Sequence, residues 1–244
     1  MSDAPEILPL GPDGVLVRFS NQLSEPANRA ALAFRVVVDG AEIAGVIETA
    51  TSLTSTYLRF QPDVVPRAAL EDKLRGLMGE RDWLEAKLPE GRTLWRIPAT
   101  FGGEHGPGLE ESADLAGVSP DQAVEELCGA RLRVLALGFA PGQPYLGFLP
   151  DHWNIPRQSD VTPEVPRGAV VVAVRQVIPF ANAAPTGWRQ VGRSAFRCFD
   201  PALEPAIPLK PGDEMQFEPV SEAEMTHLLK TAPPFGGAKA EVLA

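Results

Sequence analysis

The chain has 244 residues, a length for one large domain or two modest ones, and its 44% apolar content supports a packed core. A net charge of −10 and a sequence pI near 4.9 argue against a nucleic-acid binder. No run of ~18 apolar residues is there to span a membrane, and two cysteines, Cys128 and Cys198, make no disulfide framework and fit a reducing cytosol. The opening MSDAPEILPLGPDG has no basic start followed by an apolar segment, so no signal peptide is read and a cytoplasmic location is expected.

The first predicted element is a strand from Gly14 to Phe19. Ser24-Glu-Pro then signals a helix start, and Ala27, Ala31, Phe34 and Val38 share one face at helical spacing. Strands are expected over Ile43–Thr49 and Thr54–Phe60, followed by a helix over Pro66–Trp83 with Leu70, Leu74 and Leu77 inward. This β-α-β-β-α order predicts a split-βαβ, ferredoxin-like domain over residues 1–88, with a return strand to complete it. Leu88-Pro-Glu-Gly91 punctuates the chain and marks the boundary.

From residue 89 to 230 short strands dominate. Thr93–Thr100, Arg131–Phe139, Ala169–Val174, Trp188–Phe196 and Met215–Val220 are strand-like. Helices are expected over Leu109–Ala116, from Pro120 to about Ala130 behind the Ser119 capping box, and from the Ser221 cap to near Lys230. Many strands separated by turn residues predict a barrel or a sandwich. Residues 231–244, with Pro-Pro and Gly-Gly, are expected to form a flexible tail.

Several chemistries have no motif here. Gly102-Gly-Glu-His-Gly-Pro-Gly108 is glycine-rich but lacks the lysine and hydroxyl of a phosphate loop. There is no G-x-S-x-G elbow, and His105, His152 and His227 are too scattered to form a metal site with the cysteines. The segment GFAPGQPYLGFLP, Gly138–Pro150, carries three glycines and three prolines in thirteen residues. Read alone it is neither a good helix nor a good strand. Its aromatics make it either a buried crossover loop or the stiff wall of a binding surface.

Gly138, Phe139, Pro141, Gly142, Tyr145, Leu146, Gly147 and Leu149 match a pattern running G-F-x-P-G-F-x-Y-L-G-G-L. Ile97-Pro98, Gly102-Gly-Glu104, Gly106-Pro107 and Leu109-Glu110 match an upstream block, and Ser119-Pro120 a helix start. Pro156-Arg157, Val165-Pro166, Gly168, Gln176, Pro185, Gly187-Trp188 and Gly192-Arg193 follow in order downstream. On these residues the chain resembles the allophanate hydrolase subunit 1 family, also called KipI-like or the B-type component of 5-oxoprolinase, which corresponds to carboxyltransferase subdomains C and D. The resemblance implies an N-terminal α+β domain and a C-terminal cyclophilin-like β-barrel. It implies a hydrolase subunit that is inactive alone, working with a subunit 2 partner (KipA-like, the C-type component of 5-oxoprolinase). A third, LamB/YcsF-type subunit is also implied, and ATP is used at the complex rather than at a motif of this chain. Two alternatives come with the family: a carboxyltransferase component of a urea carboxylase-like system, and a regulatory protein that inhibits a histidine kinase.

The chain departs from the family pattern at several positions. Gln143 stands where Phe is usual, Phe148 and Thr186 where Gly is usual, and the glycines and threonine around Gln176 are gone. Losing glycine bars close backbone approach, so a backbone-lined pocket is expected to be reshaped here. The candidate substrate- or partner-binding residues are Glu104, His105, Phe139, Tyr145, Arg157, Gln176, Trp188 and Arg193. Arg157 and Arg193 offer planar forks for an acid group, or a surface charge and a rim ion pair. Gln176 sits among apolar neighbours and needs partners for its amide. Trp188 and Tyr145 could equally pack the core. In the glycine-rich turn ahead of a helix, His105 is a group that titrates or binds an anion, or else a solvated loop histidine, and Glu104 beside it is a base or a helix cap. The catalytic acid and base have no sequence signal.

Overall fold

A computed structural model describes residues 4–243 of the chain. They divide into two compact units, Met1–Glu90 and Gly91–Ala244.

The first unit runs β1 (Glu6–Leu10), β2 (Gly14–Arg18), α1 (Glu25–Gly40), β3 (Val46–Ser52), β4 (Ser55–Phe60) and α2 (Arg67–Met78). The sheet order is β1-β2-β4-β3, with every neighbouring pair antiparallel. Ser24 caps α1 by accepting the Ala27 N–H, and Ala27, Ala31, Phe34 and Val38 are buried as their spacing predicts. They meet Val15, Val17, Leu58 and Phe60 from the sheet in one core. The second helix ends early. It stops at Met78, with Gly79 closing its last turn. Trp83 falls in a separate 3-10 turn, where its ring lies edge-on to Phe34 at 4.9 Å and its indole N–H donates to the Met78 carbonyl.

The expected ferredoxin-like order is not obtained. Among the described residues of this unit no return strand follows α2. The sheet edge beside β2 belongs instead to β1, which precedes it in a tight hairpin. β1 holds Pro9, and an edge strand is where a sheet tolerates a residue with no N–H to donate.

The second unit contains β5 (Thr93–Phe101), α3 (Leu109–Ala116), α4 (Pro120–Gly129), β6 (Leu132–Leu137), β7 (Pro144–Gly147), β8 (Thr162–Val165), β9 (Ala169–Ala173), β10 (Gln176–Pro179), β11 (Ala184–Thr186), β12 (Arg189–Ser194), β13 (Glu214–Pro219), α5 (Glu222–Thr231) and β14 (Lys239–Val242). Strands pair in the order β12-β9-β10-β7-β6-β13-β5, and β5 pairs back onto β12, so seven strands close into a barrel. Only β5–β13 is parallel within that ring. Ser119 and Ser221 cap α4 and α5 through the N–H groups of Gln122 and Glu224. Leu109, Ala113, Ala123 and Leu127 of α3 and α4 pack on the barrel core with Ile97, Val134, Leu146, Val172, Val191 and Phe217.

β9 shows why one sequence run is apolar throughout. Val170 and Val172 belong to the core cluster, whereas Ala169, Val171 and Ala173 belong to a second cluster with Val165, Ile178, Phe180 and Trp188. Both faces of the strand are therefore covered, and alternation is lost. The cover on the second face includes the two-stranded sheet β8–β11.

The terminal segment, expected to be a flexible tail, forms a strand instead. Residues Lys239–Val242 pair antiparallel with Arg96–Thr93 of β5, and the Leu243 N–H donates to the Arg92 carbonyl. The first half of β5 needs a neighbour on that side because β12 reaches only its second half. Among the described residues no helix is long and apolar enough to cross a membrane.

Candidate functional site

The glycine- and proline-rich segment is a hairpin. β6 runs out at Leu137, opposite Pro144, the first residue of β7. A proline is admissible there, at a strand's first position. The Gly138 N–H donates to the Gln143 carbonyl and the Gln143 N–H to the Ala140 carbonyl, closing the turn. Gly142 takes φ +71, and a Cβ on it would lie 2.1 Å from the Cys198 carbonyl oxygen, so only glycine lets the turn seat against that strand exit. Phe139 is also left-handed, at φ 69, and is 78% exposed. Such a conformation in a bulky residue stores strain and holds the ring outward.

Beside this turn lies a recess of about 230 Å³ on the β8–β11 side of the barrel wall. Tyr145, Ile178, Phe180 and Trp188 give it apolar surface; Phe139, Gln143, Arg157 and Thr186 complete the lining with Pro185 and Gly187. The Arg157 guanidinium stacks over the Trp188 ring, 5.3 Å from its centroid. Gln143 is 2% exposed and its Oε1 accepts the Ala181 N–H at 3.3 Å, which fixes the amide so that Nε2 is left to donate. The Thr186 hydroxyl oxygen accepts the Trp188 N–H at 3.1 Å and keeps its own proton for a ligand. Gln158 braces the same corner, donating through Nε2 to the Trp188 carbonyl.

This lining can grip a small flat molecule between rings, donate hydrogen bonds to carbonyl or carboxylate oxygens, and place one positive charge beside them. It contains no carboxylate and no imidazole; the Tyr145 phenol is the lining group with a side chain of acid–base character. The adjacent thiol is no nucleophile. Burial pushes Cys198 up to about 12, and its Sγ–H donates to the Pro179 carbonyl.

The structure brings together Phe139, Tyr145, Arg157 and Trp188 of the sequence candidates and leaves the other four elsewhere. Gln176 opens β10 at the far end of the β9–β10 hairpin, opposite Ala173 and Gly147; its Nε2 is buried without a partner and does not line the recess. Glu104 is exposed in the 3-10 turn Gly103–His105, and α3 begins at Leu109 with no side-chain cap. The His105 carbonyl accepts from Gln190 Nε2 at 2.7 Å. The glycines of that turn serve packing: a Cβ on Gly106 would lie 2.0 Å from the Val191 carbonyl oxygen. Arg193 lines a different recess. Sequence reasoning missed Ile178 and Phe180, whose only signal is apolarity, and left Pro185, a match to the family pattern, out of the candidates. Gln143 and Thr186 stood out as departures from the family pattern, and the structure shows that both line the same recess.

A closed seven-stranded barrel with a ring-lined recess beside its glycine-proline hairpin defines the class. The chain belongs to the family described as carboxyltransferase domain, subdomain C and D, whose model matches residues 5–209. Among relatives, it is 28% identical over 226 residues to the B-type subunit of 5-oxoprolinase from Bacillus subtilis (strain 168), covering 90% of this chain and 94% of that one. The crystal structure of TTHA0988 superposes with a TM-score of 0.71 at 31% identity, over 85% of this chain and 40% of that one. The Kluyveromyces lactis urea amidolyase superposes with a TM-score of 0.75 over 100% of this chain and 17% of its own, at 17% identity, which shows a shared fold alone. This chain thus spans less than half of either solved chain.

Proposed function

We propose that this protein is the B-type component of a 5-oxoprolinase-type hydrolase, and that its recess binds a small cyclic amide bearing a carboxylate. The similarity to the Bacillus subtilis B-type 5-oxoprolinase component, across 94% of that protein, carries this reading. The recess supports it chemically. Tyr145 and Phe180 offer ring surface, Arg157, held over Trp188, a cation to a carboxylate, and Gln143 Nε2 and the Thr186 hydroxyl donors to an amide oxygen. No carboxylate or imidazole lines the recess, so activation of water and the use of ATP are assigned to other chains of the complex: a subunit 2 type protein and a LamB/YcsF-type protein.

The test is reconstitution. The chain is purified alone and with subunit 2 and LamB/YcsF-type chains from the same genome, and ATP-dependent release of glutamate from 5-oxoproline is measured. Turnover is expected only with all partners present. Turnover by this chain alone, or none in any combination, overturns the proposal; turnover of urea in place of 5-oxoproline moves it to a different substrate.

A further inference from the structure

A second recess, of about 140 Å³, lies where β12 leaves the barrel and meets the last turn of α5. Arg167, Arg193 and Arg197 line it, with Ser194, Leu228 and Ala232. Three guanidinium groups converging in a chain of net charge −10 are unusual, because electrostatics alone would scatter them among the acids.

Their partners do not account for the convergence. Arg193 lies on β12 opposite Ala169 and Thr100. Its Nε is buried and has no hydrogen-bond partner, and no ion pair to Arg193 occurs among the described residues. Desolvation by burial lowers its pKa, as expected for a cation held without a counter-charge. Arg167 makes only a long bond, 3.4 Å, to the Phe199 carbonyl. Arg197 is paired through Nη1 with Asp200 at 2.5 Å, and Asp200 is held below its usual range by that bond first. Asp200 is the acid facing the cluster, and no carboxylate is in the lining itself. Three cations against one carboxylate leave an excess of positive charge that is partly withdrawn from water.

We propose that this recess binds a compact oxyanion, a carboxylate or phosphate group, with Arg193 as its principal donor and Arg167 and Arg197 flanking it. A guanidinium presents a flat fork to two oxygens, which matches either group. Leu228 and Ala232 add apolar surface to the lining, and the recess volume limits the ligand to something small. The site is separate from the ring-lined recess, sharing no lining residue with it, and does not depend on the 5-oxoprolinase reading.

The full chain is titrated with inorganic phosphate and, separately, malonate by calorimetry at constant ionic strength set with sodium chloride. Saturable binding of at least one of the two is expected, the preferred probe showing which oxyanion the recess favours. Arg193→Gln is expected to weaken it at least tenfold and Arg167→Gln severalfold, while Arg193→Lys recovers only part because an ammonium lacks the fork. Arg59→Gln removes one positive charge from the other unit and should leave binding unchanged. Circular dichroism of each variant checks folding, and Arg167→Gln, outside any strand, keeps the test open if Arg193→Gln misfolds. Non-saturating heats with both probes, or equal affinity in wild type, Arg193→Gln and Arg167→Gln, would overturn the proposal.

Discussion

Gly142→Ala isolates the contact that holds the hairpin turn against the barrel. Two costs add. The residue sits at φ +71, where an L-residue is strained by roughly 1–2 kcal/mol. The new methyl would lie 2.1 Å from the Cys198 carbonyl oxygen and 2.8 Å from its carbon, so backbone must move, an overpacking penalty of about 1–3 kcal/mol. The sum, roughly 2–5 kcal/mol, is a large part of the 5–15 kcal/mol typical of a domain. Gly138, four residues earlier in the same turn, is the control: a Cβ there meets nothing within 4 Å, and its φ is not left-handed. Gly138→Ala should therefore shift stability by no more than about 0.5 kcal/mol. Urea unfolding followed by circular dichroism reads both. At about 2–4 °C per kcal/mol for units of this size, the Gly142 variant should also melt some 4–20 °C lower. Equal stability of the two variants would refute the claim that the turn is seated by glycine against Cys198.

Other outcomes follow from individual groups. Arg157→Ala should raise KM for 5-oxoproline in the reconstituted complex about tenfold, near 1.4 kcal/mol, with little change in melting temperature; an unchanged KM removes Arg157 from the ligand. Burial tends to raise the Glu126 pKa. The Trp153 indole, His152 and Gln122 bonds outweigh it, so the folded value lies below the ordinary glutamate value of 4.5. Its stabilising contribution is complete above pH 4.5 and is lost as pH falls through the folded value. Urea midpoints between pH 7 and 3 should show a steeper acid loss in wild type than in Glu126→Gln. Burial also pushes Cys128 up to about 11, leaving on the order of 0.3% thiolate at pH 8.5. Native protein should react with iodoacetamide roughly 100-fold slower than free cysteine, and unfolded protein at the free rate.

Local signals are legible wherever a residue acts on its own neighbourhood. Ser24, Ser119 and Ser221 each cap the helix their sequence context foretells, because a cap is a bond spanning three residues. Elements that exist only through pairing are not legible. β7 contains Pro144 and Gly147, and β1 contains Pro9; both are strands because the neighbouring strand of a hairpin offers the right register, which propensity does not show. The helix expected to reach Trp83 is too long because apolar spacing continues past Gly79, where the chain turns so that the indole can enter the Phe34 core. In the site, motif residues are found by resemblance, but their grouping is not. Arg157 and Trp188 meet through a cation-π contact across a loop, whereas Gln176 and Arg193, equally marked in sequence, face elsewhere on the barrel. Spacing along the chain does not say which wall of a closed barrel a side chain looks out from.

Because β14 zips onto the first half of β5, a chain shortened before Lys239 would present the main-chain donors and acceptors of Thr93–Arg96 as a bare seam. Such a product should stay folded yet become adhesive. It would recruit the same segment of another molecule, and its size on a gel-filtration column would grow with concentration.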